Sequence, residues 1–239
     1  MIEFECVYNL FFTPGEVTEI RAYGLSGKGS WEGFARGAGI VYGYFDNAQD
    51  FGKCAEALEA AKAPGIYFVM NPCNPDLLAR AANRLKAADQ KTVTTSDKDI
   101  RCIRWLPIDL DPKRPTGISS SDAELQAAIN LRNDIAIWLD QEFQTTGHTI
   151  PAMSGNGAHL SVRLDDFTPD EDHVALIRKC LHALHAKFSN DAVEVDRSVF
   201  NPARIWKLYG TTARKGDHIP SRPHRKSYLH PKFMENAPE

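Results

Sequence analysis

The sequence is poor in several features, and each shortage argues against a class of protein. It has five cysteines, Cys6, Cys54, Cys73, Cys102 and Cys180, an odd number with wide spacing and no Cys-x-x-Cys pair. That pattern points away from a disulfide framework and towards reduced thiols in a cytoplasmic protein. Apolar runs are short, none near the ~20 residues of a membrane-spanning helix, so no membrane partner is expected. The first residues include Glu3 and Glu5 without a basic stretch, which speaks against a secretory signal. Internal repeats, low-complexity tracts and Pro- or Ser-rich linkers are missing. Excess charge is missing too. The net charge of −3 lacks the basic balance that often marks a nucleic-acid binder, and taken alone it suggests a small-molecule enzyme. Cys180, His182 and His185 resemble the start of a zinc cluster, but positions i, i+2 and i+5 do not share one face of a helix.

What is present is an ordinary globular composition, 43% hydrophobic and 25% charged over 239 residues. Residues 16–23 alternate as a strand, 24–33 read as a glycine loop, and 37–45 as a second strand. Asp46 or Asn47 can cap a helix with Phe51, Ala55, Leu58 and Ala61 on its buried side. Residues 65–70 form a buried strand, and Asn74-Pro75 opens a helix carrying Leu78, Ala81, Ala82 and Leu85 on one face. This strand–helix rhythm, with long connections, predicts parallel pairing in the first hundred residues. The second half differs. It reads as strand 103–110, a helix from the Ser121/Glu124 capping box to about Gln144, strands 149–153 and 159–164, a helix after Thr168-Pro169, and strand 193–195. Residues 204–209 read as a further strand. The order β-α-β-β-α-β is the split βαβ pattern of ferredoxin-like and RNA-recognition-like folds. The expected class is therefore α/β (α+β), with an N-terminal α/β module over 1–100 and an RNA-recognition-like module over 101–239. The two are expected to pack as one unit.

Four groups of residues can carry chemistry. Asp109 and Asp111 lie two apart at the end of an apolar strand, so both carboxylates share one face, an arrangement that suits a divalent cation. An exposed acidic turn balanced by Lys113 and Arg114 is the plainer explanation. Asp196 ends a similar strand, and three carboxylates converging from strand ends would make a two-metal site. Ser154-Gly155-Asn156-Gly157-Ala158-His159 can offer successive backbone N–H groups and an imidazole to a phosphate, although an ordinary glycine hairpin would look the same. Finally, Arg204, Lys207, Arg214, Lys215, Arg222, Arg225 and Lys226 are interleaved with Trp206, Tyr209 and Tyr228, which suits phosphate contact and base stacking as well as a solvated basic tail.

Together these residues resemble the archaeo-eukaryotic primase (AEP) superfamily, and within it the primase-polymerase domains of phages, plasmids and CRISPR loci. Ile-Asp-Leu-Asp-Pro at 108–112 is similar to the family's acidic motif. Ser-Gly-Asn-Gly-Ala-His at 154–159 is similar to its second motif, and the run from Val195 to Thr211 to its third. The segments 95–100 and 222–227 also look like family segments, so the resemblance spans about residues 37–227. One departure stands out, because Gly157 occupies the place where many relatives carry serine.

The resemblance implies a DNA-directed primase-polymerase that transfers (d)NTPs onto a primer or initiating nucleotide on a single-stranded DNA template. It implies two Mg²⁺ or Mn²⁺ ions on Asp109, Asp111 and Asp196, which would also be the catalytic residues. Nucleotide contacts would come from Ser154, Asn156, Gly157, His159, Arg204 and Lys207, and template contacts from Arg214, Lys215, Arg222 and Arg225. A helicase or CRISPR-associated partner, in trans or in a longer parent chain, and a bacterial, phage or plasmid setting would follow. Two other readings compete: a non-catalytic replication-initiation module that binds DNA, and a metal-dependent nuclease on an unrelated fold. The charge also looks different at this resolution. Residues 201–239 hold eight Lys or Arg against three acids, so a basic segment follows an acidic body.

Overall fold

In the computed structural model, residues 2–26 and 35–231 are described. The glycine loop expected at 24–33 lies outside the described residues from position 27 onwards, as does Lys232. Two five-stranded sheets carry the fold among the described residues.

The first sheet is built from β1 (Thr18–Ser26), β2 (Ala35–Phe45), β3 (Gly65–Val69), β4 (Lys86–Ala87) and β9 (Ile205–Lys207), in the order β4-β2-β1-β3-β9. Every neighbouring pair is antiparallel, which corrects the parallel pairing expected from the sequence. The crossover through α2 (Ala48–Ala60) does leave β2 and β3 pointing the same way. However, β1 is inserted between them and pairs antiparallel with both. Asn47 is the cap of α2, its side chain accepting from the Asp50 N–H. A helix α1 (Ile2–Phe11), in a stretch to which the sequence reading assigned no element, packs beside α2. Their apolar residues, among them Val7, Tyr8, Phe11, Phe51 and Leu58, close one face of the sheet over Ile20, Val41, Ile66 and Phe68.

The helix expected after Asn74-Pro75 is instead a six-residue 3₁₀ turn, Pro75–Arg80. Its start is as the sequence indicates, with Asn74 capping the Asp76 N–H. It ends early because β2 claims the backbone that follows: the Tyr44 N–H donates to the Ala81 carbonyl, and the Asn83 N–H to the Tyr44 carbonyl. Leu77, Ala81 and Tyr44 then join a small second core on the far face of the sheet.

The second sheet has β5 (Ile103–Pro112), β6 (Thr149–Met153), β7 (Ala158–Phe167), β8 (Val193–Val195) and β12 (Tyr228–Leu229), in the order β12-β6-β7-β5-β8. With α3 (Asp122–Phe143) between β5 and β6, and α4 (Glu171–Phe188) between β7 and β8, this is the split βαβ arrangement expected from the sequence. The Ser121/Glu124 capping box opens α3, and Gln144 closes it in a left-handed conformation. On α4 the stripe Ile177, Leu181 and Leu184 is buried against the sheet.

The halves are joined physically. Strand β9 follows β8 of the second sheet in the chain yet pairs with β3 of the first, with Tyr67 opposite Lys207. Phe11 of α1 packs on Trp105 of β5 at 4.9 Å. Arg104 bridges Glu16 (2.6 Å) and Asp166 (2.7 Å) across the same junction. A short ribbon of β10 (Thr212–Ala213) and β11 (Arg225–Lys226) follows β9. No helix among the described residues is long and apolar enough to cross a membrane.

Candidate active site

Between the sheets lies a cleft of about 570 Å³. The second sheet contributes Asp109, Asp111 and His159, and the first contributes Tyr23, Tyr67 and Lys207. Each side chain is aimed by strand alternation. On β5, Ile108 and Leu110 are fully buried while Asp109 and Asp111, between and beyond them, line the cleft. His159 of β7 lies directly opposite Asp109, and its Nε2 stands 3.3 Å from Asp109 Oδ1.

The two carboxylates feel each other. The Asp109 carboxylate, followed by desolvation, pushes Asp111 up to about 6, while Arg114, His159 and Lys215 pull it back down. The Asp111 side chain is 56% exposed, so the neighbouring charge carries the shift. Such a like-charge pair, with only hard oxygen donors, fits a divalent cation. Asp196 reaches the same cleft, and its N–H donates to the Asp109 carbonyl at 2.9 Å. Its carboxylate, however, accepts from the Ser198 N–H (2.7 Å) and the Ser198 hydroxyl (3.0 Å). Among the described residues no group of three or more His, Cys, Asp or Glu side chains stands ready to hold a metal ion. The pair Asp109/Asp111 thus fits a cation, and each Asp196 oxygen, accepting one hydrogen bond from Ser198, keeps a lone pair with which it could complete the set.

The loop at 154–159 is a tight hairpin. The Ser154 N–H donates to the Gly157 carbonyl, and the Gly157 N–H donates back to the Ser154 hydroxyl. Asn156 braces the loop by accepting from the Ser120 N–H at the entrance to α3. Gly155 has φ +103°, and a Cβ there would lie 2.4 Å from the Ala213 Cβ. Behind His159, Nδ1 lies 2.9 Å from the Tyr209 hydroxyl, Trp206 Nε1 donates to that same hydroxyl at 2.8 Å, and the Trp206 ring stacks on the imidazole.

The basic residues divide into two groups. Arg204, Lys207, Arg214 and Lys215 all line the cleft. Arg204 donates to the Ser198 carbonyl, and its buried Nε has no partner among the described residues. Lys207 is nearly fully buried beside the Tyr67 ring, and burial pulls its ammonium down to about 7. Arg214 is neutralised by Glu59. Arg222 and Arg225 stand away from the cleft. Arg222 makes a two-pronged pair with Glu124, and Arg225 pairs with Asp122, so both secure the start of α3.

Glu194 and the tyrosines of the cleft wall were missed in the sequence, whereas Arg114 was already named there as a partner of the acidic pair. Arg114 is anchored to the Ile118 and Pro112 carbonyls and stands 3.7 Å from Asp111. Glu194 faces Asp111 across β5 and β8, and with Asp111 and Asp196 it lines an adjoining groove of about 410 Å³. Its place two residues before Asp196 was the available signal. Tyr23 and Tyr67 form the aromatic wall, meeting edge to face at 5.9 Å.

No protein-family model matches the chain. No curated protein matches it either. Among solved structures it is similar to the polymerase domain from Mycobacterium tuberculosis Ligase D in complex with DNA, with 14% identity and a TM-score of 0.46, over 98% of this chain and 85% of that one.

Proposed function

We propose that the chain is a template-directed nucleotidyltransferase of the primase-polymerase kind, its units 1–100 and 101–239 working as one catalytic core. The observation that carries this reading is convergence. Asp109 and Asp111, the 154–159 hairpin, Asp196, Arg204, Lys207 and Lys215 are scattered over more than a hundred residues and line one cleft. A cleft with paired carboxylates on one wall and cations on the other suits a cation-bound triphosphate.

Asp109 and Asp111 would hold the divalent cation, with Asp196 as third ligand, and that cation would supply charge neutralisation for the attacking and leaving oxygens. The protein's own groups do the rest. The His159 imidazole, Arg204 and Lys207 bind the phosphates and offset the charge that builds on them during transfer. Lys215, exposed at the mouth, attracts the polyanion. Tyr23 and Tyr67 provide faces and edges on which a base or sugar can rest.

Template-dependent incorporation of nucleotides in Mg²⁺ or Mn²⁺, on primed and unprimed single strands, tests the proposal. Incorporation that is lost in Asp109→Ala/Asp111→Ala supports it. Full activity of that variant overturns the assignment of the site.

A further inference from the structure

We propose that Tyr209 and Trp206 are positioning residues that hold His159 in a single tautomer, with its proton on Nε2. The imidazole then offers the cleft a hydrogen-bond donor for an anionic phosphate oxygen and cannot serve as a base. The phosphate part of this inference rests on the nucleotidyl-transfer reading above.

Donor and acceptor counting decides the tautomer. An indole N–H can only donate. Trp206 Nε1, 2.8 Å from the Tyr209 oxygen, therefore fills one of its acceptor positions. Tyr209 is fully buried, and its hydroxyl proton must find an acceptor inside the protein. The acceptor at hand is His159 Nδ1, 2.9 Å away. Tyr209 thus donates to Nδ1, and the neutral ring carries its proton on Nε2. In the opposite tautomer the Tyr209 oxygen would receive two donors, and its own proton would be buried without a partner. A buried orphan of that kind disfavours the alternative on the order of 10-fold or more.

The ring is fixed in orientation as well as in tautomer. Trp206 lies against it with centroids 4.0 Å apart and planes 30° from parallel. Nε2 is left facing the cleft, 3.3 Å from Asp109 Oδ1. Strand β9 belongs to the first sheet and β7 to the second, so the contact sets the imidazole by the way the halves join. A donor at this place serves an oxyanion, and it passes from the Asp109 carboxylate to a phosphate oxygen when a nucleotide enters. It has no free lone pair at Nε2 with which to take the proton of an attacking hydroxyl.

The test begins with the unaltered protein. Long-range ¹H–¹⁵N NMR at alkaline pH, with the His159 signals assigned by difference against His159→Gln, reads the tautomer directly. A bare Nδ1 and a protonated Nε2 are expected; a protonated Nδ1 overturns the proposal. Tyr209→Phe removes the donor, and Trp206→Phe removes the N–H that obliges Tyr209 to donate while keeping an aromatic ring. Asp109 still accepts from Nε2 in both variants, so the expected change is at Nδ1: its ¹⁵N signal moves away from the hydrogen-bonded position, and the KM for nucleotide rises about 2- to 10-fold as the ring loosens, the loss of roughly one hydrogen bond. An unchanged Nδ1 signal together with wild-type KM in both variants also overturns it. If the NMR result is as expected but the unaltered protein incorporates no nucleotide, the nucleotidyl-transfer reading fails while the positioning of His159 stands.

Discussion

Gly157 packs directly against the Leu110 carbonyl: a Cβ built on it would stand 2.5 Å from that oxygen and 3.3 Å from Asp111 Oδ1. The glycine is therefore what lets the hairpin close over β5 beside the paired carboxylates. This gives a physical reason why a residue with a side chain is absent there. Gly157→Ser is expected to push β7 and the Asp111 carboxylate apart. The cost to stability should be about 1–3 kcal/mol, the usual range for forcing atoms into a packed site. Chemical denaturation measures it, and an unchanged midpoint would show that the hairpin opens freely.

Asp109 and Asp111 repel each other in the absence of a cation, which makes a separable prediction. Asp111 is raised to about 6 in the folded protein from the ordinary 3.8. Between those values the folded state binds more protons than the unfolded one, so stability falls as pH rises through the window. Asp111→Asn removes that slope. In chelator, the variant should melt at or above the wild-type temperature at pH 7 and show a smaller advantage near pH 4. Its nucleotide incorporation should nevertheless fall on the order of 100-fold or more. A variant that melts lower at pH 7 contradicts the repulsion.

Arg104 ties the first helix's exit to the second sheet. Its guanidinium holds Glu16 below the usual carboxylate range and Asp166 down to about 2. A depressed carboxylate contributes stability that is present above its unfolded pKa and is lost as pH falls through the folded value. The loss should run from roughly pH 4 down to about 2. Arg104→Met is expected to destabilise the protein by about 3 kcal/mol, since Glu16 is left in a nearly buried place without its partner. It should also flatten the acid limb of a stability-versus-pH curve, and an acid limb as steep as wild type would remove Arg104 from that role.

How much of this was legible beforehand depended on range. The split βαβ half could be read because its signals are local: the apolar run 103–110 ending in acidic residues, the Ser121/Glu124 box, the 3–4 stripe of α4. The insertion of β1 between β2 and β3 could not, because only long-range pairing of Ile20 with Phe68 and Gly43 decides it. Asn74-Pro75 correctly marks a helix start, yet the Tyr44 backbone, thirty residues earlier, ends it. At the site, Asp109 and Asp111 were visible as a two-residue spacing. The Trp206–Tyr209–His159 cluster was not, because it exists only once β9 crosses to the other sheet. Arg222 and Arg225 looked like nucleic-acid contacts, and the structure gives both of them carboxylate partners on α3.

Lys207 offers the sharpest test of what the cleft binds. Burial lowers its ammonium to about 7, with the Arg214 charge adding to the effect and Glu59 opposing it. Among the described residues its ammonium makes one hydrogen bond, a long one of 3.4 Å to the Thr212 carbonyl. From about pH 7 up to its unfolded value near 10.5, the unfolded chain binds the extra proton, so stability rises with pH across that window. Lys207→Met should cancel the rise and leave stability near neutral pH unchanged or improved, because a desolvated amine is replaced by an apolar chain of similar length. A triphosphate reverses the balance, since a polyanion beside the amine favours its charged form. Nucleotide binding at pH 8 should therefore take up a proton, seen in calorimetry as a binding enthalpy that changes with the ionisation heat of the buffer. The uptake should vanish in Lys207→Met together with about 10-fold or more of the affinity, the worth of one charge-assisted hydrogen bond. Proton uptake that persists in the variant would assign it to another group and place the phosphates away from Lys207.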